Sequence, residues 1–253
     1  MLVTPIKTDL ITPMSQTLFE LLDKSIQSMS DNTVLAITSK VVSLCEGRVV
    51  PLDAADEEDL IKQESDYYLS PELSRYGYHF TITANTLISV AGIDKSNGSG
   101  HYILWPSNSQ STANDVREYL KKRFNLHKVG VVITDSASIP FRLGTTGIVI
   151  GYSGFKPLKN YIGSPDLFGR PFEVSRANIA NGLASIAVTV MGEGTEQTPL
   201  VVIENSNFVE FEDKDPTSEE LKSLAMTLET DLYEVFYKNA PWQQGGGGRR
   251  GSL

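Results

Sequence analysis

The feature that most restricts the fold of this chain is a set of apolar runs of strand length, at residues 33–42, 129–134, 147–151 and 199–203. They are rich in Val, Ile and Thr, which suit an extended, packed backbone. The first reads as a buried strand ending in Ser39-Lys40-Val41-Val42, and the second leads straight into Asp135-Ser136. A further apolar stretch, Thr86-Leu87-Ile88-Ser89-Val90, leads into Gly92-Ile93-Asp94-Lys95-Ser96-Asn97. Oxygen-bearing side chains therefore cluster where strands end, a place at which loops can meet cations and phosphates.

Helical spacing alternates irregularly with these runs. Leu18, Leu21, Leu22, Ile26 and Met29 predict a helix over 16–29 with Ser15 as its cap. Further helices are expected over 53–68, 114–124, 178–191 and 216–237, with a loop at 70–77 and a short strand at 101–104. Residues 78–90 read as a hairpin around Ala84-Asn85, and the glycines and prolines of 151–169 as a long ordered loop. The helix over 178–191 should stop at Gly192. No βαβ period emerges, so the class is mixed α/β or α+β. Residues 1–244 form the folded region, and 245–253, glycine-rich with two arginines, read as a flexible tail.

Composition narrows the function. Hydrophobic residues make up 40% of 253, enough for a sizeable core. A net charge of -9, from 22 basic against 31 acidic residues, argues against nucleic-acid or anionic-membrane partners. The basic triplet Lys121-Lys122-Arg123 falls on a predicted helix and reads as a solvated face. No apolar run approaches the roughly 20 residues of a membrane span, and the first residues lack the pattern of a signal peptide. Cys45 stands alone, which excludes an internal disulfide and fits a reducing cytoplasm.

Common catalytic templates are missing: there is no Gly-x-x-x-x-Gly-Lys-Ser/Thr loop, no Gly-x-Gly-x-x-Gly fingerprint and no Gly-x-Ser-x-Gly elbow. His79, His101 and His127 lack zinc spacing. What remains is an oxygen inventory of Asp94, Asn97, Asp135, Ser136 and Glu193, of the kind magnesium and manganese prefer. Each has a structural alternative. Asp94 can close a turn on its own backbone, Asp135 can cap a helix, and Glu193 can sit at the surface between two glycines. Gly192 and Gly194 can cap a helix or bring amides to a phosphate. Ser39 and Lys40 can offer a hydroxyl and a cation to a triphosphate.

Across roughly 34–204 the chain resembles the coenzyme F-420 γ-glutamyl ligase family. The resemblance rests on Thr38-Ser39-Lys40-Val41-Val42-Ser43 with Glu46-Gly47-Arg48, on Ala91-Gly92-Ile93-Asp94-Lys95-Ser96-Asn97, on Ile133-Thr134-Asp135-Ser136 with Phe141-Arg142-Leu143-Gly144, and on Met191-Gly192-Glu193-Gly194. It implies a two-domain α/β fold in an intertwined homodimer. It also implies a ligase that uses GTP (or ATP) and two divalent ions, Mg or Mn, to join L-glutamate to an acceptor carboxylate. Asp94 and Asp135 would hold one ion, Ser136 and Glu193 the other. Ser39, Lys40, Asn97 and the segment Met191, Gly192, Glu193, Gly194 and Thr195 would meet the nucleotide, and Arg142 a substrate carboxylate. Leu44, Asn181-Gly182 and Ile139 depart from the family pattern and point to the branch labelled as folate-metabolism γ-glutamate ligases, so the acceptor is a deazaflavin or a folate. The alternative is a nucleotide- or pterin-binding protein whose ligase site has decayed.

Overall fold

The computed structural model describes residues 1–248. In chain order its elements are β1 (Leu2–Ile6), α1 (Leu18–Ser25), β2 (Thr33–Thr38), α2 (Ser39–Glu46), β3 (Val49–Pro51), α3 (Glu57–Glu64) and β4 (Tyr67–Tyr68). There follow β5 (Phe80–Thr83), β6 (Thr86–Ser89), β7 (His101–Ile103), α4 (Ser109–Phe124), β8 (Val129–Ser138) and β9 (Thr145–Ser153). The last are β10 (Leu158–Asn160), β11 (Arg176–Asn178), α5 (Ile179–Met191), β12 (Leu200–Glu204), α6 (Ser218–Leu224), α7 (Glu234–Tyr237) and β13 (Gln243–Gln244).

A five-stranded sheet in the order β1-β12-β2-β8-β9 forms the centre. β2 and β8 run parallel from Thr33 opposite Val129 to Thr38 opposite Thr134, and the other pairs are antiparallel. Both faces are covered, which is why the central runs are continuously apolar rather than alternating. Leu35, Ile37, Val131 and Ile133 pack on Leu22 of α1 and on Ala113, Val116 and Leu120 of α4. Val34, Ala36 and Val132 pack on Ala180, Leu183 and Ala187 of α5. Each fully buried Leu or Ile here contributes roughly 2 kcal/mol of transfer free energy. A second sheet, β13-β4-β5-β6, and the ribbon β3-β7 surround a smaller cluster of Leu60, Ile61, Ala91, Ile93, Tyr102 and Leu104.

Several expectations need correction. The strand expected over 33–42 ends at Thr38, where pairing with β8 stops, and Ser39 and Lys40 open α2. The first helix is capped by Thr17, not Ser15, because Thr17 and Glu20 form a reciprocal capping box. The helix expected over 53–68 is confined to Glu57–Glu64, with Asp56 accepting the amides of Glu58 and Asp59. The helix at 114–124 starts earlier, at Ser109, capped by Asn108. The expected loop at 151–169 contains the end of β9 and the whole of β10. The helix expected over 216–237 breaks into α6 and α7, since the Thr227 amide bonds the Thr230 hydroxyl at 2.9 Å, a local turn that competes with helix. β1 carried no recognised sequence signal. The hairpin around Ala84-Asn85 is present, with both residues at positive φ as a tight two-residue turn requires.

Residues 245–248, expected to be flexible, are docked. The amides of Gly245, Gly246, Gly247 and Gly248 donate to the carbonyls of Asp66, Lys62, Ser65 and Gln63 at 2.8–2.9 Å. A Cβ at Gly245 would fall 2.2 Å from the Ser65 carbonyl, so the close approach demands glycine. The rest of the expected tail, 249–253, lies outside the described residues.

Candidate functional site

The candidate site lies where β2 and β8 deliver their C-terminal ends. Crevices outside the carboxyl ends of parallel strands are recurrent ligand positions, because the chain turns away there and leaves space. β2 turns into α2 at Ser39. β8 continues antiparallel to β9, across a bulge beside Ile133 and Thr134, and so carries Asp135 and Ser136 just past the point where β2 leaves. Asp135 is thus an interior strand residue, not the helix cap or strand terminus that sequence allowed.

A cleft of about 410 Å³ opens at this point. Lys40, Asp94, Asn97, Asp135 and Ser136 line it together with Met191, Gly192, Glu193, Gly194 and Thr195. An apolar wall of Leu10, Ile11, Val41 and Leu44 completes it. Two expected residues are placed otherwise. Ser39 is buried beneath the cleft and hydrogen-bonds the Asp135 carboxylate. Arg142 is exposed in the loop between β8 and β9, its guanidinium bonded to the Phe141 carbonyl at 3.1 Å, outside the cleft.

Asp94 follows a 3-10 turn in which Val90, Ala91 and Gly92 all have positive φ. For a β-branched valine that conformation is costly, and strain of this kind concentrates at functional loops. One Asp94 oxygen accepts the Ser96 amide at 2.6 Å, which is the turn reading. The other faces the Lys40 ammonium at 2.6 Å, and that ammonium also reaches the Ser96 hydroxyl at 3.0 Å. Burial pushes the Asp94 carboxyl up, but Lys40 and the Ser96 amide outweigh it and hold it below the ordinary carboxylate range.

Asp135 is driven the other way. Burial raises it to about 6, and Asp94 adds to the rise, against the lowering hydrogen bonds from Trp105, Ser136 and Ser39. The Trp105 indole donates to one carboxylate oxygen and the Ser136 amide to the other, the latter at 2.9 Å. Across the cleft, Glu193 accepts from the Ser136 hydroxyl at 3.4 Å and from the Thr145 hydroxyl at 3.2 Å.

The 192–198 loop follows α5. Asn97 donates to the Gly194 carbonyl at 2.9 Å, tying the Asp94 loop to this one. The Glu196 carboxylate accepts the Gly194 amide at 2.9 Å and occupies the space in which a side chain at Gly192 would lie, 2.4 Å from its carboxyl carbon. Gly192 has φ 78, so glycine is required there on two counts. Trp105 and the N-terminal wall at Leu10 and Ile11 were not anticipated, since they lie outside the motifs and no local pattern marks them.

The donors fit a hard divalent cation. All are oxygens, and a cation, the Lys40 ammonium, already rests on Asp94. Among the described residues no group of three or more His, Cys, Asp or Glu side chains converges as a cage. The carboxylates come instead as separate donors facing open space, which suits magnesium completing its shell with phosphate and water. Other nucleophile and ligand candidates fall away. Cys45 is half-buried, with burial first and Glu46 second pushing its thiol up to about 11, and His79 is buried against the Leu69 carbonyl at 3.0 Å. Asn181, one of the departures, accepts the Val149 amide at 2.9 Å beside the β9 bulge, while Leu44 adds apolar surface to the cleft.

A family profile described as F420-0:Gamma-glutamyl ligase matches residues 5–205, a span that contains every residue of the cleft. The chain belongs to this family. Among its relatives is the coenzyme F420:L-glutamate ligase of Methanococcus maripaludis strain C6, 38% identical over 140 residues, or 54% of this chain and 56% of the relative. The enzyme of the same name from Methanocaldococcus jannaschii is 37% identical over 139 residues, covering 54% and 55%. That of Methanopyrus kandleri is 32% identical over 178 residues, covering 64% and 70%. The first of these alignments spans little more than half the length of the relative it matches. Among the described residues no helix is long and apolar enough to cross a membrane.

Proposed function

We propose that this F420-0:Gamma-glutamyl ligase family member is a cytoplasmic ligase that uses GTP or ATP and divalent metal to join L-glutamate to an acceptor carboxylate. The acceptor is a coenzyme F-420 precursor or a folate-type molecule. The observation that carries the reading is the meeting, in one cleft, of Lys40, Asp94, Asn97, Asp135 and Ser136 with the 191–195 segment. Asp94 and Asp135 would hold one Mg or Mn ion, and Ser136 with Glu193 a second. Bound there, the ions would neutralise charge shared by nucleotide and acceptor oxygens.

The chain's own groups account for the rest. The Lys40 ammonium, at the start of α2, faces the same space as the phosphates would. Asn97 holds the 192–198 loop by its Gly194 carbonyl, and the apolar wall of Leu10, Ile11, Val41 and Leu44 offers a dry surface to a planar ring. A carboxylate is a poor electrophile. Transfer of the γ-phosphoryl group to the acceptor oxygen releases nucleoside diphosphate and gives an acyl phosphate. The glutamate amine then attacks the carbonyl carbon, loses its proton, and phosphate leaves with the C–O electron pair.

Incubation with labelled glutamate, Mg or Mn, each nucleotide, and deazaflavin or folate acceptors, followed by mass measurement, tests this. A gain of glutamyl mass on one acceptor class is expected. Turnover untouched by Asp94→Asn and Asp135→Asn would remove the metal assignment. Arg142 is proposed to bind a substrate carboxylate, and an Arg142→Ala variant with unchanged KM for glutamate and acceptor would exclude it. The second reading, a binding protein with a decayed site, is favoured by Leu44, which leaves that side of the cleft apolar. Mg–GTP binding without glutamate incorporation would select it. A homodimer is proposed as well, supported by Phe141, Leu143, Leu167 and Phe168, each at least 95% exposed. Light scattering that returned the mass of one chain would overturn it.

A further inference from the structure

We infer that Trp105 is a positioning residue, whose indole N–H fixes the Asp135 carboxylate for a divalent cation in an arrangement that only glycine at position 92 permits. The inference rests on the cleft being a metal and nucleotide site. Trp105 is 5% exposed and does not line the cleft, yet its Nε1 donates to Asp135 Oδ2. An indole N–H has no acceptor capacity and no accessible second protonation state, so it can only hold a carboxylate. With the Ser136 amide on Oδ1 at 2.9 Å and the Ser39 side chain also bonded to the carboxylate, both oxygens of Asp135 are engaged and the plane of the group is set.

The indole is itself built into place from two sides. Gly92, with φ 72, lies against the ring, and a Cβ there would fall 2.2 Å from Nε1. The Ala91-Gly92-Ile93-Asp94 segment thus makes room for the group that orients Asp135 while placing Asp94 in the same cleft. From the other side the Arg48 guanidinium donates to the Trp105 carbonyl at 3.1 Å, and the Arg48 backbone carbonyl accepts the Leu104 amide at 3.0 Å. Arg48 is fixed in turn by Glu64 at 2.6 Å, with the Glu64 side chain 4% exposed. Arg48 therefore reaches the site through Trp105. Hydrogen-bonding partners that orient a metal-binding carboxylate typically change metal affinity by about 10–100-fold when removed.

Two measurements on the full chain test the inference. First, Mn²⁺ binding is followed by electron paramagnetic resonance in the presence of GTP, for the wild type and Trp105→Phe, which keeps an aromatic ring and deletes the donor. A loss of affinity of about 10-fold or more, with a cooperative thermal transition retained, is expected. Second, Trp242→Phe leaves a single indole, and its N–H resonance is recorded by ¹⁵N NMR. It should shift on saturation with Mg²⁺ and again on Asp135→Asn. Equal Mn²⁺ affinity in the wild type and Trp105→Phe, or an indole resonance indifferent to Asp135→Asn, overturns the role of Trp105 and leaves the metal site standing. If the wild type takes up no Mn²⁺ with nucleotide present, the metal reading falls and this inference with it. Should Trp105→Phe not fold, the resonance decides alone.

Discussion

Asp94 and Asp135 bring the same carboxylate to one cleft, yet burial and neighbours move them in opposite directions. Asp94 has an ammonium against it, whereas Asp135 has only neutral donors and a like charge nearby. For Asp135, whose folded value is raised to about 6 from 3.8, the folded chain binds a proton that the unfolded chain has released throughout that window. The contribution of Asp135 to the stability of the metal-free protein therefore falls as pH rises from about 4 to 6, by at most about 3 kcal/mol. Asp94, with a lowered value, contributes stability above the ordinary carboxylate range and loses it only at lower pH, so it does not mask the trend. Urea unfolding in chelator across this window should show the fall as the difference in pH dependence between the wild type and Asp135→Asn. A slope unchanged in Asp135→Asn would mean that another group is responsible.

At the scale of elements, the 192–198 loop and the Arg48 pair give separate tests. Gly192→Ala places a methyl group against the Glu196 carboxylate on a left-handed backbone. Nucleotide affinity should fall at least about 10-fold, and combining it with Glu196→Ala should recover part of the loss by removing the clash but not the backbone cost. Full recovery would show that strain at Gly192 is unimportant. Arg48→Met strands the Glu64 carboxylate inside the protein, at a cost of roughly 3 kcal/mol or more. A Tm within a degree of the wild type would contradict the burial argument.

For the whole molecule, the central sheet and the β13-β4-β5-β6 sheet differ in how they are held. The first is covered on both faces by helices. The second has a two-residue strand, β13, at its edge, followed by glycine amides docked on the carbonyls of residues 62, 63, 65 and 66 at and just past the end of α3. Truncation after Trp242 removes that edge strand and the docked segment. It should lower Tm and speed amide exchange in β4, with the central sheet retaining its protection. Unchanged exchange in β4 would show that the segment is bound too weakly to matter.

The sequence by itself determined the elements whose signal is local. The β-branched runs at β2, β8 and β12, the amphipathic face of α4, the stop at Gly192 and the Ala84-Asn85 turn are all legible in neighbouring residues. The oxygen donors were legible as an inventory, and the family motifs supplied their proposed grouping. Tertiary structure decided how they meet. Parallel pairing of β2 with β8 and the bulge beside Ile133 put Lys40 and Asp135 together, across a separation no local pattern spans. It also decided which residues stand behind them, since Trp105 reaches Asp135 only because Gly92, from another segment, has no side chain. Periodicity records which face of an element is buried, whereas a site is made by contacts between elements, and those are fixed only when the chain packs.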